Sequence, residues 1–252
     1  MGRYHEPFLG SGAILGTLAP HGALASDSFG PLMEIWVTLK TRPDIVKAWY
    51  GERWALAHGN GKKEGYASIR DRYNRNPNGA DLLFLTRSCY GGVVRFRKTD
   101  GHMSTPCGGH EPITPERFEK RADMWHERVR HADFATLDYR EAMQHAKKGD
   151  FIYCDPPYAH SQPILYGGHA FRLDAFFEEI GRCKARGVHV AVSLDGTKKS
   201  GRIHCDLPIP KGLFAREIFI PVGRSMLRRF QMEGSTLESE VVCDRLLLTY
   251  MP

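Results

Sequence analysis

Apolar positions along the chain change their period several times, and the changes outline an alternating α/β protein. Glu6-Pro7-Phe8 leads into Leu9-Gly10-Ser11-Gly12-Ala13, the pattern of a strand end, a glycine turn and a helix start. A second strand is predicted over Gly22 to Ser26, ending at Asp27. Helical spacing follows from Pro31 to Leu39, pauses at Thr41-Arg42-Pro43, and resumes to about Leu56. Periodicity then fades into a Gly-, Asn- and Arg-rich stretch, read as a loop-rich inserted lobe with short strands at Leu82 to Thr86 and Val93 to Arg97. It returns at Thr114-Pro115, where Phe118, Ala122, Trp125 and Val129 mark one helical face.

The second half alternates more regularly. Strands are predicted at Asp133 to Phe134, Phe151 to Cys154, Val188 to Ser193, Glu217 to Val222 and Val241 to Tyr250, with helices from Arg140 to Lys148 and Leu173 to Arg186. Such alternation implies a mainly parallel sheet covered by helices. The last two strands leave no room for a crossover helix, so that pair is expected to be antiparallel. Ligands of such sheets bind beyond the carboxyl ends of the strands, where Gly10, Asp27 and Asp155 are all expected.

Composition adds little until charge is placed along the chain. With 252 residues, 42% hydrophobic and 25% charged, the chain can fill a sizeable core. Its formal net charge is +6, and residues 60–110 carry nine Lys and Arg against four acids, a local net of +5. Tyr66, Tyr73, Phe84, Tyr90 and Phe96 are interleaved among them, a mixture suited to phosphates and unstacked bases. A second basic tract runs from Lys198 to Arg229. The six cysteines form no CxxC pair and no His spacing suggests zinc, so no metal is expected. MGRYHEPF lacks a signal-peptide core and no apolar run approaches a membrane span, so a cytoplasmic protein without membrane contact is expected.

The most specific chemistry lies at Asp155-Pro156-Pro157-Tyr158, where a buried strand is expected to stop. Two prolines fix φ and remove two backbone donors, leaving peptide oxygens in a rigid turn. A flat amine would donate one hydrogen to the Asp155 carboxylate and the other to the Pro156 carbonyl, while Tyr158 stacks on its ring. Two such bonds favour the localised lone pair that a poor aryl amine nucleophile needs.

These residues resemble the Dam-like family of DNA adenine methyltransferases: DPPY, EPFLGSGA ahead of it, Asp27, Ala132-Asp133-Phe134, the Tyr90-Gly91-Gly92-Val93-Val94-Arg95 region and a late GRSML…ESEVV tract. The resemblance implies a Rossmann-like class I methyltransferase sheet with an inserted DNA-recognition lobe. It also implies methyl transfer from S-adenosylmethionine to the N6 amine of an adenine flipped from double-stranded DNA, leaving S-adenosylhomocysteine. Residues 1–56 and 113–252 would form the catalytic domain and 57–112 the target-recognition domain. Phe8, Gly10, Gly12, Asp27, Asp133 and Phe134 would line the cofactor; Asp155, Pro156 and Tyr158 would take the base; Tyr90, Arg95, Arg97 and Lys98 would meet DNA.

The chain departs from the family at two points. Only five residues precede Glu6, so the family's KWxGGK-like segment is expected to be missing, and a separate chain supplying it is one expected partner. A cognate restriction endonuclease is another. Phe29 stands where the family often has Asn, two positions after the acid. A ribosomal RNA amino-methyltransferase, an N4-cytosine enzyme and a DNA-binding relative without catalysis are the alternatives to adenine methylation.

Overall fold

The computed structural model describes residues 2–59, 61–157, 171–198, 203–205, 207–223 and 242–251. Seven of its strands make up one sheet, mostly parallel with antiparallel strands at the end, in keeping with a Rossmann-like methyltransferase fold. The chain divides into two compact units: residues 1–8, 140–163 and 169–252 in the first, 9–139 with 164–168 in the second. Among the described residues no helix is long and apolar enough to cross a membrane.

In the first unit β1 (Tyr4–Glu6) pairs in parallel with β4 (Phe151–Cys154), and β4 with β5 (His189–Asp195). β9 (Val242–Leu248) then runs antiparallel between β5 and β8 (Arg216–Gly223), as the missing crossover helix predicts. β6 (Thr197–Lys198) and β7 (Ile203–His204) form a separate ribbon. Helix α7 (Leu173–Ala185) buries Phe176, Phe177, Ile180 and Cys183. At the other end of β1 and β4, His5 and Asp150 bond at 3.0 Å between Nε2 and Oδ2, and both are buried. Asp150 also accepts the backbone N–H groups of Arg3 and Lys147, so one carboxylate ties the start of β1 to the turn before β4.

The second unit holds one parallel pair, β2 (Leu24–Asp27) with β3 (Asp133–Thr136), and five helices besides the short α1 (Ala13–Leu18). These are α2 (Gly30–Thr41), α3 (Pro43–Gly59), α4 (Lys62–Arg75), α5 (Gly79–Ser88) and α6 (Pro115–Val129). Pro31 and Pro115 sit in first turns, where a missing N–H costs nothing. The core is aromatic: Tyr50 of α3 stacks on Phe118 of α6 with ring centroids 4.0 Å apart, and its hydroxyl donates to the Ile113 carbonyl.

Two expectations are corrected here. Residues 62–88 are helical, not loop-rich, and Leu82 to Thr86 is the middle of α5, not a strand. Asn78 explains the difference, because its side-chain oxygen accepts the Asp81 N–H and caps the helix. A short run such as Leu-Leu-Phe-Leu has no period of its own, and here every side of α5 is enclosed, with Leu82, Leu83, Phe84 and Leu85 all buried. Val93 to Arg97 does extend, but as one arm of a hairpin that crosses at Phe96 and Met103.

Candidate active site

In the second unit the glycine turn after β1 is fastened by Asp27 and Trp36. Asp27, at the end of β2, accepts the Gly10 N–H on Oδ2 at 3.1 Å and the Phe29 N–H on Oδ1 at 3.0 Å. Burial pushes its carboxyl above the usual carboxylate range, and hydrogen bonds from Phe29, Gly10 and Ser28 offset this only in part. A carboxylate offers about four lone-pair positions, so these backbone bonds do not exhaust its capacity to accept from a hydroxyl donor.

The two glycines do different work. Gly10, at φ +48°, would meet nothing within 4 Å if it carried a Cβ. Gly12, at φ +63°, would place that Cβ 2.7 and 2.8 Å from two ring carbons of Trp36. Trp36 also donates its indole N–H to the Gly10 carbonyl at 3.2 Å and stacks on Phe134, with ring centroids 5.7 Å apart and planes 13° off parallel. Thus Gly10, Gly12, Asp27 and Phe134 come together around one tryptophan. Asp133, the neighbour of Phe134 on β3, is exposed and pairs with Lys40 at 3.3 Å.

Sequence reasoning missed Trp36. It occupies the buried stripe of α2 with Met33 and Leu39, where an aromatic reads as ordinary core. The signal available was Gly12, the second glycine of the turn, whose missing side chain leaves room for a large ring.

In the first unit β4 is followed at once by Asp155, which is exposed, and then by buried Pro156. The residues before it are sealed: Ile152 and Cys154 are fully buried, and burial drives the Cys154 thiol well above its ordinary value. The Tyr153 phenol is also pushed up, first by burial and then by the negative charge of Asp155 and Glu6. An inert apolar strand therefore presents its first ionisable oxygen pair at Asp155. Tyr158 lies outside the described residues.

Phe8 packs edge-on against Phe176 and Phe171, at centroid distances of 5.5 and 5.9 Å. Two residues earlier, Glu6 is buried and accepts the Tyr4 hydroxyl at 2.6 Å. A buried acid at the end of β1 was not singled out from sequence, because Glu-Pro there reads as a strand terminator.

The remaining candidates lie on the hairpin of the second unit. Its base is Val93, Val94 and Thr105, all buried; its tip, Arg97 to Gly101, is exposed. Arg95 donates its backbone N–H to Thr105 Oγ1 and accepts from Ser104; Arg97 donates to the His102 carbonyl. Asn74 of α4 holds the return arm with both halves of its amide: Nδ2 donates to the Met103 carbonyl at 3.1 Å, and Oδ1 accepts the Met103 N–H at 2.7 Å. Tyr66 adds a bond from its hydroxyl to the Thr105 carbonyl. Tyr90 is 43% exposed at the hairpin's entry, and Lys98 is exposed at its tip. Arg97 pairs with Asp100 at 2.6 Å, so part of its charge is met within the tip.

Not all of the basic tract faces outward. Asp81, fully buried, accepts from Arg53, Arg72 and Asn78. Burial raises its carboxyl, but those bonds outweigh it and leave the group below its ordinary value. Arg87 is half-buried with its guanidinium over the Phe118 ring. These arginines are spent on the lobe itself. Among the described residues no group of three or more His, Cys, Asp or Glu is placed to hold a metal ion.

The family model for the D12 class N6 adenine-specific DNA methyltransferases matches residues 1–185. The chain is 29% identical over 212 residues to the DNA adenine methylase of Vibrio cholerae serotype O1, covering 79% of this chain and 74% of that protein. It is 26% identical over 188 residues to the DNA N-6-adenine-methyltransferase of Escherichia phage P1, covering 68% of this chain and 23% of that one. With the retron Ec67 DNA adenine methylase of Escherichia coli it shares 27% over 163 residues, 62% of this chain and 55% of the other. A glycine turn fastened by an acid, a strand that ends in Asp-Pro-Pro, and a family match over nearly three quarters of the chain lead to one conclusion: this chain belongs to the D12 class of N6 adenine-specific DNA methyltransferases.

Proposed function

We propose that this DNA adenine methyltransferase uses S-adenosylmethionine as its methyl donor and acts by direct attack of the N6 amine of a flipped adenine. The observation that carries the reading is the open cradle at Gly10 beside Asp27. A turn at positive φ with free space where a side chain would stand, next to a carboxylate that keeps acceptor capacity, fits a nucleoside with vicinal hydroxyls. Phe8, Gly10, Gly12 and Asp27 would hold the methionine and ribose portions, and Asp133 and Phe134 would border the adenine. When bound, S-adenosylmethionine supplies an electrophilic methyl group on a sulfonium.

The chain's own residues do the rest. Asp155 accepts one N6 hydrogen and the Pro156 carbonyl the other, which holds the amine in place and favours a localised lone pair on nitrogen. Tyr158 stacks on the extruded base. Flipping costs roughly a few kcal/mol, offset by that stacking and by cationic contacts to the phosphates. Residues 57–112 act as the target-recognition domain, with Tyr90, Arg95, Arg97 and Lys98 toward DNA. A bidentate arginine on guanine would supply about 1–3 kcal/mol of discrimination.

The test is transfer of tritium from labelled S-adenosylmethionine into adenine of duplex genomic DNA, followed by nucleoside analysis. Incorporation into N6-methyladenine, lost in Asp155→Ala, is expected. Label in RNA but not DNA, or full activity of Asp155→Ala, sinks the reading.

A further inference from the structure

Phe29 occupies a position whose usual residues it does not resemble. It is the N-cap of α2, where Ser, Thr, Asp or Asn would satisfy a free backbone N–H, and Phe29 makes no side-chain cap bond. Something other than the helix end must account for an aromatic there. Its backbone N–H is bonded to Asp27 Oδ1, and its ring meets Phe96 of the hairpin edge-on at 5.6 Å with planes 73° apart. Phe96 is 8% exposed, faces Met103 across the hairpin, and lies 6.5 Å from the Tyr73 ring of α4. Successive side chains of an extended strand alternate, so with Phe96 turned inward, Arg95 and Arg97 point to the opposite side. One residue thus bonds the proposed ribose acid through its backbone and supports the proposed DNA-reading arm through its ring.

We propose that Phe29 is a positioning residue that links cofactor binding to DNA recognition. This rests on the assignment of Asp27 to the cofactor and of Arg95 and Arg97 to DNA. A shift of the Asp27 turn moves the Phe29 ring, and the Phe96 side of the hairpin follows. By reciprocity, DNA held on the hairpin tightens the cofactor turn by the same factor.

The experiment measures S-adenosylhomocysteine affinity by calorimetry, with and without saturating sheared genomic duplex DNA, for the full chain and for Phe29→Asn, Phe29→Leu and Phe96→Leu. Phe29→Asn supplies a capping oxygen and removes the ring, so α2 is retained; the leucine variants keep apolar volume. DNA is expected to tighten S-adenosylhomocysteine by about fivefold or more in the unaltered chain. That factor is expected to fall to near one in Phe29→Asn and to intermediate values in both leucine variants. Affinity without DNA and kcat at saturation should stay within about twofold, while KM for DNA rises. An unaltered chain without the coupling, a Phe29→Asn variant that keeps it, or one that weakens S-adenosylhomocysteine equally with and without DNA would each overturn the linkage. Those results leave methyl transfer standing. If the unaltered chain binds no S-adenosylhomocysteine at all, the cofactor assignment itself fails.

Discussion

Replacing Gly12 with alanine separates packing from ligand approach. The added Cβ would stand 2.7 and 2.8 Å from Trp36 ring carbons, and Trp36 is held from three sides: by its bond to the Gly10 carbonyl, by Phe134 and by Trp125. The ring has nowhere to retreat. Overpacking of this kind costs about 1–3 kcal/mol, and the left-handed φ of +63° adds roughly 1–2 kcal/mol for any residue with a Cβ. A loss of about 2–5 kcal/mol corresponds to a fall in Tm of roughly 5–15 °C for a chain of this size. Gly10→Ala should differ in kind. Its Cβ meets no protein atom, so only the strain of about 1–2 kcal/mol applies, whereas the methyl group intrudes where the ligand would lie. Differential scanning calorimetry and S-adenosylhomocysteine titration on both variants give the comparison. Gly12→Ala should lose mainly stability and Gly10→Ala mainly affinity, and Trp36→Phe should cost less in the Gly12→Ala background than alone. Equal Tm values for Gly12→Ala and the unaltered chain would refute the packing argument.

Other substitutions probe the remaining parts. Asp155→Asn should abolish methyl transfer while the circular dichroism melt stays within about 0.5 kcal/mol of the unaltered chain, because the side chain is exposed. Asp81→Asn leaves the part-exposed Arg72, and Arg53 with its remaining partner Glu52, facing a neutral group, and urea unfolding should show a loss of about 1–3 kcal/mol. Burial lowers the His5 imidazole below 6.5 against the opposing pull of Asp150, so the folded chain binds the proton less readily than the unfolded chain. Its stability contribution is therefore complete above pH 6.5 and is lost as pH falls through the lowered folded value. Melts between pH 8 and pH 5 should show that decline, and a His5→Gln variant should show less of it.

Much of the sheet was readable because several of its strands are apolar runs closed by a turn signal. Phe151 to Cys154 before Asp-Pro-Pro is the clearest case, and the late antiparallel pair followed from the absence of a crossover. Residues 62–88 were not readable in the same way. Their helices depend on a distant side chain each, such as Asp81 neutralising Arg53 and Arg72, so local composition looked like a charged loop. At the site, Gly10, Gly12 and Asp27 announced themselves by residue type. Trp36 did not, since its role comes from a contact with a glycine 24 positions earlier that no periodicity records. Arg72 and Arg87 show the converse. Counted as surface charge in the sequence, they turn out to be structural.

The Asn74 amide clamp on Met103 has an evolutionary consequence. Among the described residues the hairpin is bonded to α4 by Asn74 and Tyr66, at Met103 and Thr105, and none of these bonds involves the side chains of Arg97 to Gly101. The tip can therefore drift in sequence, lengthen or be exchanged between relatives without disturbing the anchor, so that, under the DNA-reading role proposed for it, a change of the word read need carry no penalty in folding.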